Sequence, residues 1–188
     1  MRCLSIADAM KERNIEPVFM TADNGCVSMI EDRGFEVYVL GTDYRDMESE
    51  LPLIRNYLET QNKGAKQIPA ILVDSYQVTS RYYEELRKLA KVACLEDMGQ
   101  SYPVDLLVNY NIYGPKLVYD NKITYATLLG TGYQPLRREF QQDIQYDIKD
   151  KITDVMITTG GSDPYFAARA FTDTFLFEKE LELSLIHI

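Results

Sequence analysis

The chain has 188 residues, of which 46% are hydrophobic and 26% are charged, and its net charge at pH 7 is −9. This length and composition are typical of one globular domain, or of one domain and the start of another. The acidic balance argues against a nucleic-acid surface, and no apolar run reaches the roughly 18 residues of a membrane span. Without a signal peptide either, the sequence predicts a cytoplasmic protein with no nucleic-acid or membrane partner.

The hydrophobic pattern predicts alternating helices and strands along most of the chain. In chain order, we expect a helix over 1–10, a strand over 17–21, a helix over 26–33 closed by Gly34, a strand over 35–40, a helix over 48–60, a strongly buried strand over 70–74, a helix over 80–90, and strands over 92–95, 105–108 and 125–129. This alternation predicts an α/β fold of Rossmann type, in which helices cover both faces of one mostly parallel sheet.

The alternation restarts near the end of the chain, with a predicted strand over 154–158 and a helix over 165–175. We therefore expect a first lobe over 1–136, a linker over 137–150 and the start of a second lobe over 151–182.

Both ends are unusual. The chain opens directly on a helical pattern, and residues 183–188 match the translation of an adapter used in preparing sequencing libraries. We interpret the sequence as a reading frame truncated at both ends, and we assign no function to His187, which lies in that tail.

A glycine turn joins the last predicted strand and helix, in Thr158-Thr-Gly-Gly-Ser-Asp-Pro164. Backbone N–H groups at such a turn converge on an anion, so Gly160, Gly161, Ser162 and Asp163 are candidate phosphate-binding residues. An ordinary capped turn is the alternative, with Ser162 or Asp163 as the helix cap.

Polar residues follow several predicted strands, where ligands of open α/β sheets bind. They would form a rim suited to a sugar, and they are Thr21, Asp23, Asn24, Asp74, Tyr76, Glu96, Asp97, Asn109, Tyr110 and Asn111. Asp23, Asn24 and Asp74 are also good turn or cap residues. Glu96 and Asp97 are either an acid and base pair or merely solvated. The tyrosines between Tyr102 and Tyr133 could stack on a uracil or a sugar ring, or pack between lobes.

No sequence pattern indicates a metal site or a cofactor. The three cysteines, Cys3, Cys26 and Cys94, lie far apart and in no metal-ligand spacing, which predicts reduced and mostly buried thiols. Nucleophile elbow, Walker and HExxH motifs are absent from the sequence. Any hydrolysis is therefore expected to use a general base and electrostatic positioning without a metal.

Several segments together resemble one enzyme family. MRCLSIADAM, FMTAD, RGFEVYVL, ILVDSY, VDLLVNYNIYG, LLGTGYQPLRREF and TTGGSDP occur in family order over residues 1 to about 170. They resemble the UDP-sugar hydrolases of bacterial pseudaminic-acid biosynthesis, which release UDP from UDP-2,4-diacetamido-2,4,6-trideoxy-β-L-altropyranose, and the related spore-coat polysaccharide proteins.

The resemblance implies a two-lobed GT-B fold, like that of the lipid-II-forming N-acetylglucosaminyltransferase, and a water molecule activated by a histidine. That histidine belongs to a G-x-G-H turn before the segment that matches Met1 to Leu4, so we expect this chain alone to be inactive and to lack the central first strand. Tyr76 matches the family tyrosine that orients sugar or water, and Gly160 to Asp163 match the glycine turn of the second lobe. A GT-B glycosyltransferase and a non-catalytic nucleotide-sugar-binding lobe of a fused protein are the alternatives.

Overall fold

The computed structural model describes residues 1–61, 69–140, 150, 154–159, 163, 165–175 and 182–185. The chain divides into two compact units, Met1–Gln142 and Asp143–Ile188. Most of the predicted linker, residues 141–149, lies outside the described residues. No helix in the described ranges is long and apolar enough to cross a membrane.

The first unit alternates helices and strands as predicted. Its elements are α1 (Arg2–Lys11), β1 (Val18–Thr21), α2 (Val27–Glu31), β2 (Glu36–Val39), a 3₁₀ turn (Met47–Glu50) that leads into α3 (Leu51–Gln61), β3 (Ala70–Val73), α4 (Ser80–Leu86), β4 (Lys91–Leu95), β5 (Leu106–Asn109) and β6 (Thr127–Leu129). Further 3₁₀ turns cover Gly114–Lys116, Thr131–Tyr133 and Arg138–Phe140.

Two local signals that the sequence carries are visible at the helix ends. Gly34 takes the left-handed backbone conformation after α2, with φ +75°, which glycine adopts without steric cost. Thr79 caps α4, because its Oγ1 accepts a hydrogen bond of 3.0 Å from the Tyr82 N–H. Both ends therefore form for the reason that the residue types predict.

The strands of the first unit form two parallel sheets. β1 pairs with β2, and a four-stranded sheet has the order β3-β4-β5-β6. In the larger sheet Val73 lies beside Cys94, Leu95 beside Val108, and Asn109 beside Leu129, so the carboxyl ends of all four strands meet at one edge. The predicted α/β class with a parallel sheet is confirmed, but the strands form separate sheets rather than one.

One strand differs from its prediction. The sequence predicts that β3 is strongly buried, whereas Ala70 is exposed, Leu72 is 36% exposed and only Val73 is buried. The reason is that successive side chains of a strand point to opposite faces of the sheet, and the face of Ile71 and Val73 is the one that packs in the apolar core. An apolar run of this kind suits a strand covered on both faces, whereas Ala70 and Leu72 lie on the exposed face of β3.

Two apolar clusters support the first unit. The larger cluster joins α4 to the sheet through Tyr83, Leu86, Cys94 and Leu107. The smaller one packs α1 against α2 and β2 and consists of Leu4, Ala7, Ile30 and Phe35. The prediction of mostly buried thiols is wrong for Cys26, which is exposed because it caps the short helix α2 at the surface.

The second unit contains β7 (Asp154–Ile157), α5 (Ala167–Phe175) and β8 (Glu182–Leu185). The strand and helix predicted on either side of the glycine turn are thereby confirmed. β7 and β8 pair in parallel.

Candidate functional site

Polar residues from three neighbouring strands meet at the carboxyl edge of the four-stranded sheet. Asp74 follows β3, Glu96 and Asp97 follow β4, and Tyr110 follows β5. Arg2, the first residue of α1, reaches this edge and contacts residues from all three strand ends. The site is therefore assembled from residues up to 108 positions apart in sequence.

Arg2 is the centre of this cluster. Its Nε lies 2.9 and 3.0 Å from the two Asp74 carboxylate oxygens, and its Nη2 lies 2.5 Å from Asp74 Oδ1. Its Nη1 donates to Asp97 Oδ2 at 3.2 Å and to the Tyr110 hydroxyl at 2.8 Å. Hydrogen bonding to Asp74 raises the pKa of Arg2 above its ordinary value, so the guanidinium is a permanent cation here.

Asp97 also holds the tyrosine that the resemblance singles out. The Tyr76 hydroxyl donates to Asp97 Oδ2 at 2.7 Å, and this hydrogen bond raises the pKa of Tyr76. The Tyr113 hydroxyl donates to the Asp97 carbonyl oxygen at 2.9 Å. Tyr76 is 65% exposed, so an ordered hydroxyl is presented to solvent at the sheet edge.

The charges of this cluster do not cancel. Arg2 supplies one positive charge against the two carboxylates of Asp74 and Asp97. Asp97 Oδ1 is buried and has no hydrogen-bond partner among the described residues. The thiol of Cys3 lies 3.3 Å from Asp74 Oδ2, and burial, reinforced by that carboxylate, raises its pKa to about 12. The cluster is thus net negative and suits a ligand that offers hydroxyl or N–H donors.

Glu96, the residue before Asp97, has a different environment. It is 5% exposed, and its Oε1 accepts hydrogen bonds from the backbone N–H of Met98 at 2.6 Å and of Gln100 at 3.1 Å. Its Oε2 accepts from the Gly99 N–H at 3.1 Å and from the Tyr119 hydroxyl at 2.7 Å. The carboxylate accepts four hydrogen bonds, and no lysine or arginine in the described part of the chain forms an ion pair with it.

The same network continues to the end of β5. Asn109 is fully buried, and its Nδ2 donates to the Tyr119 oxygen at 2.8 Å. Its Oδ1 accepts from the backbone and side-chain N–H groups of Asn111 at 3.1 and 2.9 Å. Asn109 and Asn111, both predicted to bind substrate, therefore lie beside Glu96 in a network that ties two strand ends together.

The predicted residues after β1 lie outside this cluster of contacts. Thr21 has a buried hydroxyl with no hydrogen-bond partner among the described residues. Asp23 Oδ1 accepts from the Gly25 N–H at 2.7 Å, which is a turn contact of the kind that aspartate favours. Of the predicted rim, the structure brings together Asp74, Tyr76, Glu96, Asp97, Asn109, Tyr110 and Asn111.

In the second unit, Asp163 caps α5. Its two carboxylate oxygens accept from the backbone N–H groups of Ala167 at 2.8 Å and Ala168 at 3.0 Å. This contact matches the capped-turn alternative for Asp163. The other three predicted residues of the glycine turn, Gly160, Gly161 and Ser162, lie outside the described residues.

Sequence reasoning missed Arg2. Arg2 carried a signal, since a cation at the first position of a helix is opposed by the helix dipole and requires a compensating partner. Asp74 and Asp97 provide that compensation. Tyr110 belongs to the predicted rim, but its contact with Arg2 is seen only in the fold.

Within the described ranges, no group of three or more histidine, cysteine, aspartate or glutamate side chains is arranged to hold a metal ion. The fold and this edge define an α/β protein with a parallel four-stranded sheet and a polar cluster at its carboxyl ends. No protein-family profile and no curated protein matches the chain.

Proposed function

We propose that this chain is part of a metal-independent UDP-sugar hydrolase of GT-B type that releases UDP from UDP-2,4-diacetamido-2,4,6-trideoxy-β-L-altropyranose. The first unit would bind the sugar, and the second would begin the nucleotide-binding lobe. The observation that carries the proposal is the exposed Tyr76 hydroxyl, held by Asp97 at 2.7 Å at the carboxyl edge of a parallel sheet. Ligands of open α/β sheets bind at that edge.

The proposed reaction is attack of water on the anomeric carbon. The new carbon–oxygen bond forms as the bond to UDP breaks, and UDP leaves with the bonding electron pair. A general base accepts the proton of the attacking water. The family resemblance assigns that role to a histidine upstream of the segment matching Met1 to Leu4.

Tyr76 would orient the water or the sugar. Its proton is donated to Asp97, and its raised pKa keeps the hydroxyl protonated at neutral pH. A phenolic oxygen can still accept a hydrogen bond while it donates one, so Tyr76 presents an acceptor to a water or sugar hydroxyl.

We further propose that one more parallel strand belongs between β1 and β3. Among the described residues, each of these strands pairs on one side only, β1 with β2 and β3 with β4. Both also contact the same apolar cluster, since Met20 of β1 packs against the group that contains Val73 of β3. One inserted strand would join the two sheets into a single parallel sheet, with the Arg2 cluster near the middle of its carboxyl edge.

The test is an assay of UDP release from the altropyranose nucleotide. It compares this chain with a version extended upstream of Met1 to include a strand and the G-x-G-H turn. We expect turnover by the extended chain and none by the shorter one.

Tyr76→Phe in the extended chain should lower kcat by about 100-fold, which is the range for loss of a positioning or proton-transfer group.

Three results would contradict the proposal. Equal turnover by both chains would show that the upstream histidine is not required. Sugar transfer to an added acceptor, without hydrolysis, would identify a glycosyltransferase. Binding of the nucleotide sugar by the extended chain with neither reaction would identify a non-catalytic binding lobe.

A further inference from the structure

We propose that Glu96 is a positioning residue, whose carboxylate folds residues 97–100 around itself and thereby holds Asp97 against Tyr76 and Arg2. The proposal rests on the proposed function in one respect only, since that function makes Asp97 and Tyr76 part of a sugar site.

Both oxygens of Glu96 are acceptors, and together they receive four hydrogen bonds. Three of the donors are the successive backbone N–H groups of Met98, Gly99 and Gln100. Such a row of N–H groups is an anion-binding concavity, and here the anion is the side chain of the same loop. Gly99 has φ +80°, a conformation that lets the backbone close around the carboxylate.

The loop is fixed at both ends. The Glu96 N–H donates to the Val108 carbonyl oxygen at 2.9 Å, which extends the pairing of β4 with β5 by one residue. Beyond Asp97, the carboxylate holds the next three N–H groups. Asp97 lies directly between these two anchors. Because consecutive Cα atoms are held about 3.8 Å apart, a change in the position of residues 98–100 also moves Asp97, and with it the carboxylate that Tyr76 contacts.

This arrangement separates the two carboxylates that the sequence suggests as an acid and base pair. Glu96 is almost fully buried, and its two oxygens already accept four hydrogen bonds. Asp97 has one oxygen on Tyr76 and Arg2 and another without a partner among the described residues. Glu96 therefore acts on the site through Asp97 and does not face a ligand itself.

A glutamine cannot replace Glu96 in this role. Its amide offers one acceptor oxygen, while its NH₂ group is a donor. Whichever way the amide turns, the NH₂ group faces at least one backbone N–H donor, either those of Met98 and Gln100 or that of Gly99. Glu96→Gln thus removes the negative charge and opposes at least one of the four hydrogen bonds with little change in size.

The experiment follows the ionisation of Tyr76 in the ligand-free chain, by NMR of ¹³Cζ-labelled tyrosine with Tyr76→Phe assigning the signal. Because the hydrogen bond to Asp97 raises the pKa of Tyr76, we expect Asp97→Asn to lower it. Glu96→Gln should lower it in the same direction. Glu85→Gln is the matched control, since it removes a half-exposed carboxylate on α4 that pairs with Lys88, and it should leave the Tyr76 titration unchanged.

A folded Glu96→Gln protein with the wild-type Tyr76 titration would overturn the proposal, as would a Tyr76 pKa that does not respond to Asp97→Asn. If Glu96→Gln does not fold, Tyr119→Phe removes a single donor. It should then lower the Tyr76 pKa by a smaller amount, and no change would contradict the proposal.

The ligand-free readout keeps this proposal separate from the proposed function. If the extended chain neither binds nor hydrolyses the nucleotide sugar while Glu96→Gln still shifts the Tyr76 titration, the function fails and the positioning role stands.

Discussion

Glu96 and Asp97 are adjacent in sequence, yet they serve two regions of opposite character. Glu96 belongs to a buried network with Asn109 and Tyr119, in which every carboxylate oxygen has two donors. Asp97 belongs to the half-exposed Arg2 cluster, in which one cation serves two carboxylates and one oxygen has no partner among the described residues.

The two regions differ in how completely their polar groups are hydrogen-bonded, and burial explains the difference. Burying a polar group is costly unless its hydrogen bonds are complete, so the buried network must be complete. The half-exposed cluster does not carry that requirement, and its unsatisfied groups are those that a ligand can use. Changes in the first region should therefore affect stability, and changes in the second should affect binding.

The largest effect on stability is expected at Gly114, whose backbone packs against Asn109 of the buried network. A methyl group at Gly114 would lie 2.7 Å from the Asn109 carbonyl oxygen and 3.3 Å from its Oδ1. We expect Gly114→Ala to lower the free energy of unfolding by about 2 kcal/mol, as overpacking does. Gly132→Ala is the control, since a methyl group there meets no atom within 4 Å. Urea unfolding of both variants measures the difference, and equal midpoints would contradict it.

Removing one tyrosine hydroxyl from each region compares how much the buried network and the Arg2 cluster contribute to stability. Tyr119→Phe removes a donor from Glu96 and an acceptor from the Asn109 amide, and should cost about 1 to 2 kcal/mol of stability. Tyr76→Phe removes a hydroxyl that is largely exposed, and should change stability by less than about 0.5 kcal/mol. Thermal unfolding of the two single variants tests this. A larger loss from Tyr76→Phe would show that the Arg2 cluster is structural.

The Arg2 ion pair should contribute little to stability. Asp74 and Arg2 are both partly exposed, and such pairs are worth about 1 kcal/mol or less. We expect Asp74→Asn to cost no more than that, and to cost less as salt screens the charges. Asp8→Asn provides the comparison, because it breaks the 2.7 Å ion pair between Asp8 and Arg33, which lies away from the sheet edge. A loss above about 3 kcal/mol from Asp74→Asn would contradict this expectation.

The smallest effect concerns the thiols and their dependence on pH. Burial raises the pKa of both Cys3 and Cys94 to about 12, from 9.0 in an unfolded chain. At about pH 8 a thiol reagent should label exposed Cys26 quickly and the other two slowly, because the thiolate is the reactive form. Labelling of Cys3 should rise about tenfold per pH unit. Arg2→Ala should slow it without affecting Cys94, because the Arg2 charge lowers the pKa of the Cys3 thiol. Fast labelling of Cys94 in the wild-type chain would contradict the burial of β4.

The raised pKa values of Cys3 and Cys94 also make the free energy of unfolding depend on pH. A raised pKa means that the folded chain holds the proton more tightly than the unfolded chain does. Their contribution is therefore complete below pH 9.0 and is lost as the pH rises toward about 12.

Much of the fold followed from the sequence. Helix and strand positions came from hydrophobic periodicity, and Gly34 marked the end of α2 because of its conformational freedom. The β-α alternation also predicted parallel pairing, since parallel strands require a crossover. These features depend on residues near each other in the chain.

The site was predicted in part. The rule that ligands bind at carboxyl ends of strands selected Asp74, Tyr76 and Asn109, and the structure places all three at one edge. It also shows that Asn109 is buried and supports the loop, while Tyr76 is exposed. Residue type alone does not indicate which of the two side chains is buried and which is exposed.

The class of fold and the edge at which polar residues gather could be predicted from the sequence, because periodicity and turn chemistry are carried by short segments. The different roles of Glu96 and Asp97, the recruitment of Arg2 to Tyr110 and the exposure of β3 became visible only in the folded chain. They depend on contacts between residues up to 108 positions apart, on which strands pair, and on which groups are removed from water.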